Sequence, residues 1–475
     1  MSTLLAAAML AIVTQNQVPL RAAPRDSAPQ QATLWQGDML DLRDRRGDYL
    51  LVYDLRRERQ GFIRASQVRL TTLSPEQAPE LLGIVRFLRD SPGAESLGIS
   101  YAAAYLKAVP APALTAEPYD ALGSMAERLA VRASSVQSSS AQATISAQLE
   151  VVAQFGVTMK GYEHDGSVRI CYEGEVFRRV LSMPGAAPAA LARAALGLTR
   201  HECVDPNMGP LERFEFDQWR ADVLDRVPLD ALDPALTNRV LMRRAGVLAS
   251  VAYWRARRGL DPQFAAERAI ADLAAVERAG LDDEGLRDYA DAAVRVGASR
   301  LAAQPQPAST GRLSVRMTPG EPGQTCISLY DAAKGDPGKP GAEPLLRRCT
   351  YGTVWAGSVS ANSRGTALTL AVQPLPTWRE LWVFRQTRGG WTVDVLPPGV
   401  EGPGVGYIEA AGWDPAKHRL LVCRESRTGD HVQRRFALVS LETLATVHQS
   451  TDPDFLANFR RWQDPVWRMN TVALR

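Results

Sequence analysis

The sequence predicts a multi-domain α+β chain: a small β unit first, a mainly helical middle and a β-rich end. Three observations predict it. Short runs of branched and aromatic residues, broken by Gly, Pro and Asp, fill residues 12–72. From residue 73 to about 133, and again from 188 to about 303, apolar residues recur at helical spacing, among many alanines and arginines in the second stretch. Beyond Ala303-Gln304-Pro305-Gln306-Pro307-Ala308-Ser309, a linker over 304–310, strand-like runs dominate 311–475. The 475 residues leave room for about three domains of ordinary size. The composition, 45% hydrophobic and 23% charged, is that of a globular protein.

In the N-terminal unit, Ile12-Val13-Thr14 and Val18-Pro19-Leu20-Arg21 are apolar pieces ended by Ala23-Pro24. Gln36-Gly37-Asp38 makes a turn, and Met39, Leu40 and Leu42 lead to a polar tip at Arg43–Asp48. Tyr49-Leu50-Leu51-Val52-Tyr53 is the strongest strand. A turn at Arg57–Gly61 leads into Phe62-Ile63, and Ala65–Leu70 closes the unit.

This order resembles a bacterial SH3-like (SH3b) barrel. The family's opening Leu-Asn-Val-Arg and Gly-Pro correspond to Val18-Pro19-Leu20-Arg21 and Ala23-Pro24. Its Leu-x-x-Gly-Asp corresponds to Leu34-Trp35-Gln36-Gly37-Asp38, its Trp-x-x-Val to Tyr49-Leu50-Leu51-Val52, and its Gly-Trp-Val to Gly61-Phe62-Ile63. Pro19 replaces Asn, and Tyr49 and Phe62 replace tryptophans. The resemblance covers about an eighth of the chain and implies targeting or scaffolding, often towards cell-wall peptides and glycans. Trp35, Tyr49, Tyr53 and Phe62 are then candidates to line a shallow groove for a peptide or sugar. The plainer alternative is a small barrel that only packs against its neighbours.

Ahead of this unit, residues 1–11 resemble the apolar centre and small-residue end of a secretory signal peptide without its basic start. The plainer reading is a lead-in strand or short helix. Residues 73–141 read as helices over 76–88, 97–106 and 119–133, followed by a Ser/Gln/Ala linker at 134–141. Residues 142–187 read as a small antiparallel sheet, with Leu149, Val151, Val152, Phe155, Val157 and Met159 strand-like and Val168, Ile170 and Tyr172 alternating. Residues 188–303 read as an irregular helical bundle of five helices.

The C-terminal part carries a weak internal repeat. Ser363-Arg364-Gly365 precedes Leu368–Val372 and Leu381–Phe384; about fifty residues later Trp413-Asp414-Pro415-Ala416-Lys417 precedes Leu420–Val422 and Phe436–Val439. A third, partial copy begins at Trp462-Gln463-Asp464-Pro465. The pattern resembles β-propeller blades, with too few copies for a closed ring. An open stack of meanders or a β-sandwich stands beside that reading.

The net charge of +3 gives no global case for nucleic-acid binding or a polybasic anchor, and no run approaches the roughly 18 apolar residues of a membrane span. Five scattered histidines and no Cys-x-x-Cys leave a zinc site little to draw on. In an oxidising compartment Cys326 would pair with Cys349, and Cys171 with Cys203, leaving Cys423 as a small buried hydrophobe.

His201-Glu202-Cys203 with Asp205 is the densest cluster of reactive types, a thiol beside a base. It also sits at a helix end, where His suits the dipole. Gly-x-Ser-x-Gly, phosphate-loop and dinucleotide motifs are missing. Asp282-Asp283-Glu284 reads as helix capping. Arg243, Arg244, Arg255, Arg257 and Arg258 form either a solvated face or an anion site. Trp355, Trp378, Trp382, Trp391, Trp413, Trp462 and Trp467 read as packing, with a few left for a partner.

The expectation is thus an exported, periplasmic protein without cofactor or assigned catalytic residue, binding peptidoglycan or an envelope protein. The competing class is a cell-wall hydrolase using Cys203, and a third is a cytoplasmic adaptor with free thiols.

Overall fold

The computed structural model describes residues 9–135, 138–164, 167–304, 312–334, 343–399, 404–429 and 431–470. Its contacts divide the chain into two units: Met1–Met208 with Val223–Leu232, and Gly209–Asp222 with Asp233–Arg475. The 304–310 linker lies outside the described residues beyond Gln304, as do residues 1–8 of the signal-like stretch.

The first unit opens with seven strands: β1 (Leu10–Val13), β2 (Val18–Arg21), β3 (Gln30–Leu34), β4 (Met39–Arg46), β5 (Tyr49–Asp54), β6 (Arg59–Arg64) and β7 (Val68–Thr71). They form one sheet in the order β3-β2-β6-β5-β4-β1-β7. Every neighbouring pair is antiparallel. Among the described residues no closed barrel is found, because β3 and β7 remain the two edges. Period-two alternation decides the inner face: Leu50 and Val52 of β5 join Val18, Leu20, Leu34, Leu40 and Ile63 in one core. β1 is apolar on both faces. Ala11 and Val13 enter that core, while Ile12 packs with the helices that follow. This two-sided burial accounts for the unbroken apolar run of β1.

Those helices are α1 (Ala78–Arg89), α2 (Glu95–Ala108), α3 (Glu117–Ser135) and α4 (Ser139–Ala153). α1 buries Ala78, Leu81, Val85 and Leu88, one helical stripe. A short 3-10 turn at Pro75–Gln77 precedes α1. α4 corrects two expectations. The expected linker ends in a cap, Ser138, whose side chain accepts from the Ala141 N–H. The residues read as strand around Val151 and Val152 are helical, with Ile145, Gln148, Val151 and Val152 buried at three- and four-residue spacing. Only the hairpin β8 (Met159–His164) and β9 (Ser167–Tyr172) survives of the expected small sheet. Val176 to Leu181 lie in α5 (Glu175–Ser182), and α6 (Pro188–Leu198) follows.

The helices α7 (Pro210–Asp225), α8 (Pro234–Arg257), α9 (Gln263–Ala274) and α10 (Asp283–Ser299) come next, α7 running across the division between the units. Asp233 and Asp282 cap α8 and α10 by accepting from the Leu236 and Gly285 amides, the capping role read for the acidic run.

The strands of the second unit are β10 (Leu313–Pro319), β11 (Thr325–Asp331), β12 (Leu346–Thr350), β13 (Thr353–Ala361), β14 (Ala367–Leu375), β15 (Trp378–Thr387), β16 (Gly390–Leu396), β17 (Gly406–Asp414), β18 (Arg419–Thr428), β19 (His431–Ser440) and β20 (Thr446–Ser450). Two short helices, α11 (Ala457–Trp462) and α12 (Pro465–Asn470), follow.

Among the described residues no propeller is found. β13–β16 and β17–β20 are two four-stranded antiparallel meanders. They share one brief parallel contact, Trp378 with Gly406 and Arg379 with Tyr407. The fifty-residue repeat corresponds to the second and third strands of each. The two meanders meet face to face through Leu381 and Val383 on one side and Ile408, Leu420, Val422, Ala437 and Val439 on the other. The other face of the first meander packs on β10 and β11 through Leu368, Leu370, Trp382 and Phe384 against Leu313, Ile327 and Leu329. The outer face of the second is covered by Phe459 and Trp467 of α11 and α12. The third repeat copy is therefore a helical cap: Asp464 accepts from the Val466 amide and opens α12. The result is a layered stack, sheet on meander on meander on helices.

Candidate functional site

On β5 the residues facing away from the inner core are Tyr49, Leu51 and Tyr53. Cross-strand pairing sets Phe62 opposite Leu51 and Arg64 opposite Tyr49. Three of the four predicted groove residues, Tyr49, Tyr53 and Phe62, thus share one face. Each ring is roofed by a guanidinium: Arg64 over Tyr49 at 5.3 Å, Arg43 over Tyr53 at 5.5 Å and Arg46 over Phe62 at 5.6 Å.

Asp26, from the β2–β3 loop, anchors the Tyr49 end of the row. It accepts from the Tyr49 hydroxyl at 2.5 Å and from Arg64 Nε at 3.0 Å. The Arg64 and Tyr49 hydrogen bonds hold its carboxyl below the usual range, and Asp26 in turn pushes the Tyr49 phenol up. Tyr49 and Phe62 are each 8% exposed, whereas Tyr53 is half-buried. The face therefore presents arginine edges around one accessible ring.

Trp35 stands apart, half-buried in the β3–β4 turn. That turn is docked on α2. Ser96 donates to the Gln36 carbonyl at 2.8 Å and Ser100 to the Gly37 carbonyl at 2.6 Å. Gly37 has φ +94°, and a Cβ there would lie 2.6 Å from the Ser96 carbonyl oxygen. Buried Asp38 caps the turn by accepting from the Trp35 amide at 2.8 Å, and it pairs with Arg56 and Arg57. The Gly-Asp of the family-like motif serves this docking.

The reactive cluster has no free thiol. Cys171 is bonded to Cys203, and Cys326 to the directly opposed Cys349. His201, Glu202 and Cys203 form a short 3-10 turn. Cys423 is buried, and burial pushes its thiol well up, so it makes little thiolate. No group of His, Cys, Asp or Glu among the described residues is suited to a metal ion. No described helix is long and apolar enough to cross a membrane.

The α8 arginines are engaged locally. Arg244 makes a two-pronged pair with Asp272, Arg255 donates to the Asp261 carbonyl, Arg257 donates to the Gly323 carbonyl, and Arg258 lies over Phe214. Trp355, Trp378, Trp382 and Trp467 are buried, and Trp413 donates to Ser360, joining the two meanders.

The densest buried polar group was not among the expected sites. Glu409 of β17 accepts from Arg300 Nε and Nη2 at 2.7 and 2.8 Å, from Arg379, and from Trp467 Nε1 at 2.8 Å. Glu409 and Arg300 are 5% exposed and Arg379 is 0% exposed. Burial pushes the Glu409 carboxyl up, but Arg300 and Arg379 overcome it and hold it at about 2. Beside it the Tyr407 hydroxyl donates to Glu425, which Arg434 also pairs. α10 reaches this spot because Gly297 lies against the Tyr407 ring, where a side chain would overlap it. The sequence signal is Glu409 alone, a charge in the otherwise apolar run Tyr407-Ile408-Glu409-Ala410-Ala411 of β17.

No family model matches the chain, and neither a curated protein nor a solved structure matches it.

Proposed function

We propose that this is a non-catalytic binding or scaffold protein of a bacterial cell envelope, whose N-terminal sheet acts as an SH3b-like module towards peptidoglycan or an envelope protein. The observation that carries the reading is the row Tyr49–Phe62–Tyr53 under Arg64, Arg46 and Arg43 on one outer sheet face. The guanidinium groups over these rings suit the carboxylates of a peptide, with Tyr53 the ring left half-buried beside them. The two disulfides fit an oxidising compartment and so support export. The competing hydrolase reading depends on a Cys203 nucleophile, and a disulfide sulfur supplies none.

The test is co-sedimentation of the full chain with isolated peptidoglycan, beside Tyr53→Ala and Trp35→Ala. Point variants are preferable to deleting the sheet, because Ile12 and Met39 belong to the helical core. Pelleting of the parent with about tenfold weaker binding by Tyr53→Ala supports the reading. A parent that stays in the supernatant sinks the wall-binding version and turns the search to protein partners.

A further inference from the structure

The Glu409 carboxylate is a saturated acceptor. Oε1 receives Arg300 Nε and Arg379 Nη2; Oε2 receives Arg300 Nη2 and Trp467 Nε1. A carboxylate offers about four lone-pair positions, so none remains. The two arginines still have N–H groups to place. Arg300 Nη1 and Arg379 Nε and Nη1 are buried without an acceptor among the described residues. The Tyr407 ring, 5.2 Å from the Arg379 guanidinium, serves its face and leaves its edge N–H groups open.

Charge leads to the same place. Two buried cations share one buried anion, and the nearby Glu425 is already matched by Arg434 and the Tyr407 hydroxyl. A buried unpaired charge is costly unless a counter-ion or a strong hydrogen-bond acceptor meets it. Both guanidinium groups reach the same Oε1, so they stand side by side.

We propose that one open edge of the Arg379 guanidinium, together with Arg300 Nη1, holds one small inorganic monoanion, of chloride size, as a structural counter-ion beneath the C-terminal helices. A single negative charge balances the excess. The near-complete burial of all three side chains selects a small ion over an organic acid. Entry requires α12 to lift, since Trp467 latches onto the same carboxylate.

The experiment follows thermal unfolding of the full chain at constant ionic strength while gluconate is replaced stepwise by chloride, then by bromide. A saturable rise in Tm of about 2–4 °C is expected in both halides, as mass action on the folded state requires. Crystals grown in bromide are expected to show an anomalous peak within hydrogen-bond distance of Arg379 and Arg300. A flat Tm series with bromide found only on the surface overturns the proposal. So does a saturable rise that persists unchanged in Arg379→Met. If that variant fails to fold, the bromide peak in the parent protein decides alone.

Discussion

Replacing Glu409 by Gln keeps the side-chain shape and removes the charge on which Arg300, Arg379 and Trp467 converge. Two routes give the cost. Removing one partner of a buried ion pair typically costs about 3–5 kcal/mol, because the other charge stays buried. Independently, a carboxyl held at about 2 rather than its ordinary 4.5 reflects roughly 3 kcal/mol of preferential binding of the charged form. The folded-state value lies below the unfolded one, so this stabilisation is complete above about pH 4.5 and disappears as the pH falls towards 2. Urea unfolding followed by circular dichroism, fitted with separate transitions for the two units, reads both effects. The variant should lose about 3 kcal/mol at pH 7 in the second unit and decline less steeply than the parent between pH 4.5 and 2, the buried carboxyls of Asp217 and Asp291, also held below the usual range, keeping their share. A loss under about 1 kcal/mol, or an unchanged acid decline, would refute the assignment of that energy to Glu409.

Three further outcomes follow from the packing. Gly412→Ala places a Cβ against the Trp462 carbonyl oxygen, so it should loosen α11 and α12 and speed proteolysis between residues 452 and 465, read by mass spectrometry of timed digests. Gly297→Ala should cost about 1–3 kcal/mol in urea unfolding, since the Tyr407 ring occupies the added methyl's position. Replacing Cys171 and Cys203 by Ser opens a loop of 32 residues and should lower first-unit stability by about 3–4 kcal/mol; the unreduced parent should titrate one thiol, Cys423, in denaturant.

Where a single periodicity ruled, the sequence was readable. β5 and α1 follow their alternation and helical stripe, and α10 opens on the acidic cap that Asp282-Asp283-Glu284 announces. It misled where branched residues sat at helical spacing: Val151 and Val152 favour strands locally, but burial with Ile145 and Gln148 decided for helix. Trp462-Gln463-Asp464-Pro465 misled for another reason, since Asp-Pro opens a helix as readily as it turns a strand. Tyr49, Tyr53 and Phe62 were legible as one face because β5 and β6 are joined by a short turn. Their arginine roofs were not, because Arg46 and Arg64 reach their rings across the sheet. The Glu409 group gathers residues from positions 300 to 467, and no local pattern announces such a meeting.

The stacked arrangement of the second unit has a consequence for how such chains can change in length. A closed ring admits only the number of blades that completes its circumference. An open stack has no such closure condition, and here α8 and α10 run beside both meanders, Tyr253 donating to the Pro374 carbonyl and Val294 and Ala298 packing on Tyr407. One meander, a segment of about fifty residues, could be duplicated or lost while the terminal helices still seated on whichever layer came last. Chains built on this plan would then differ by whole layers, with the Phe459–Trp467 lid kept at the end of each.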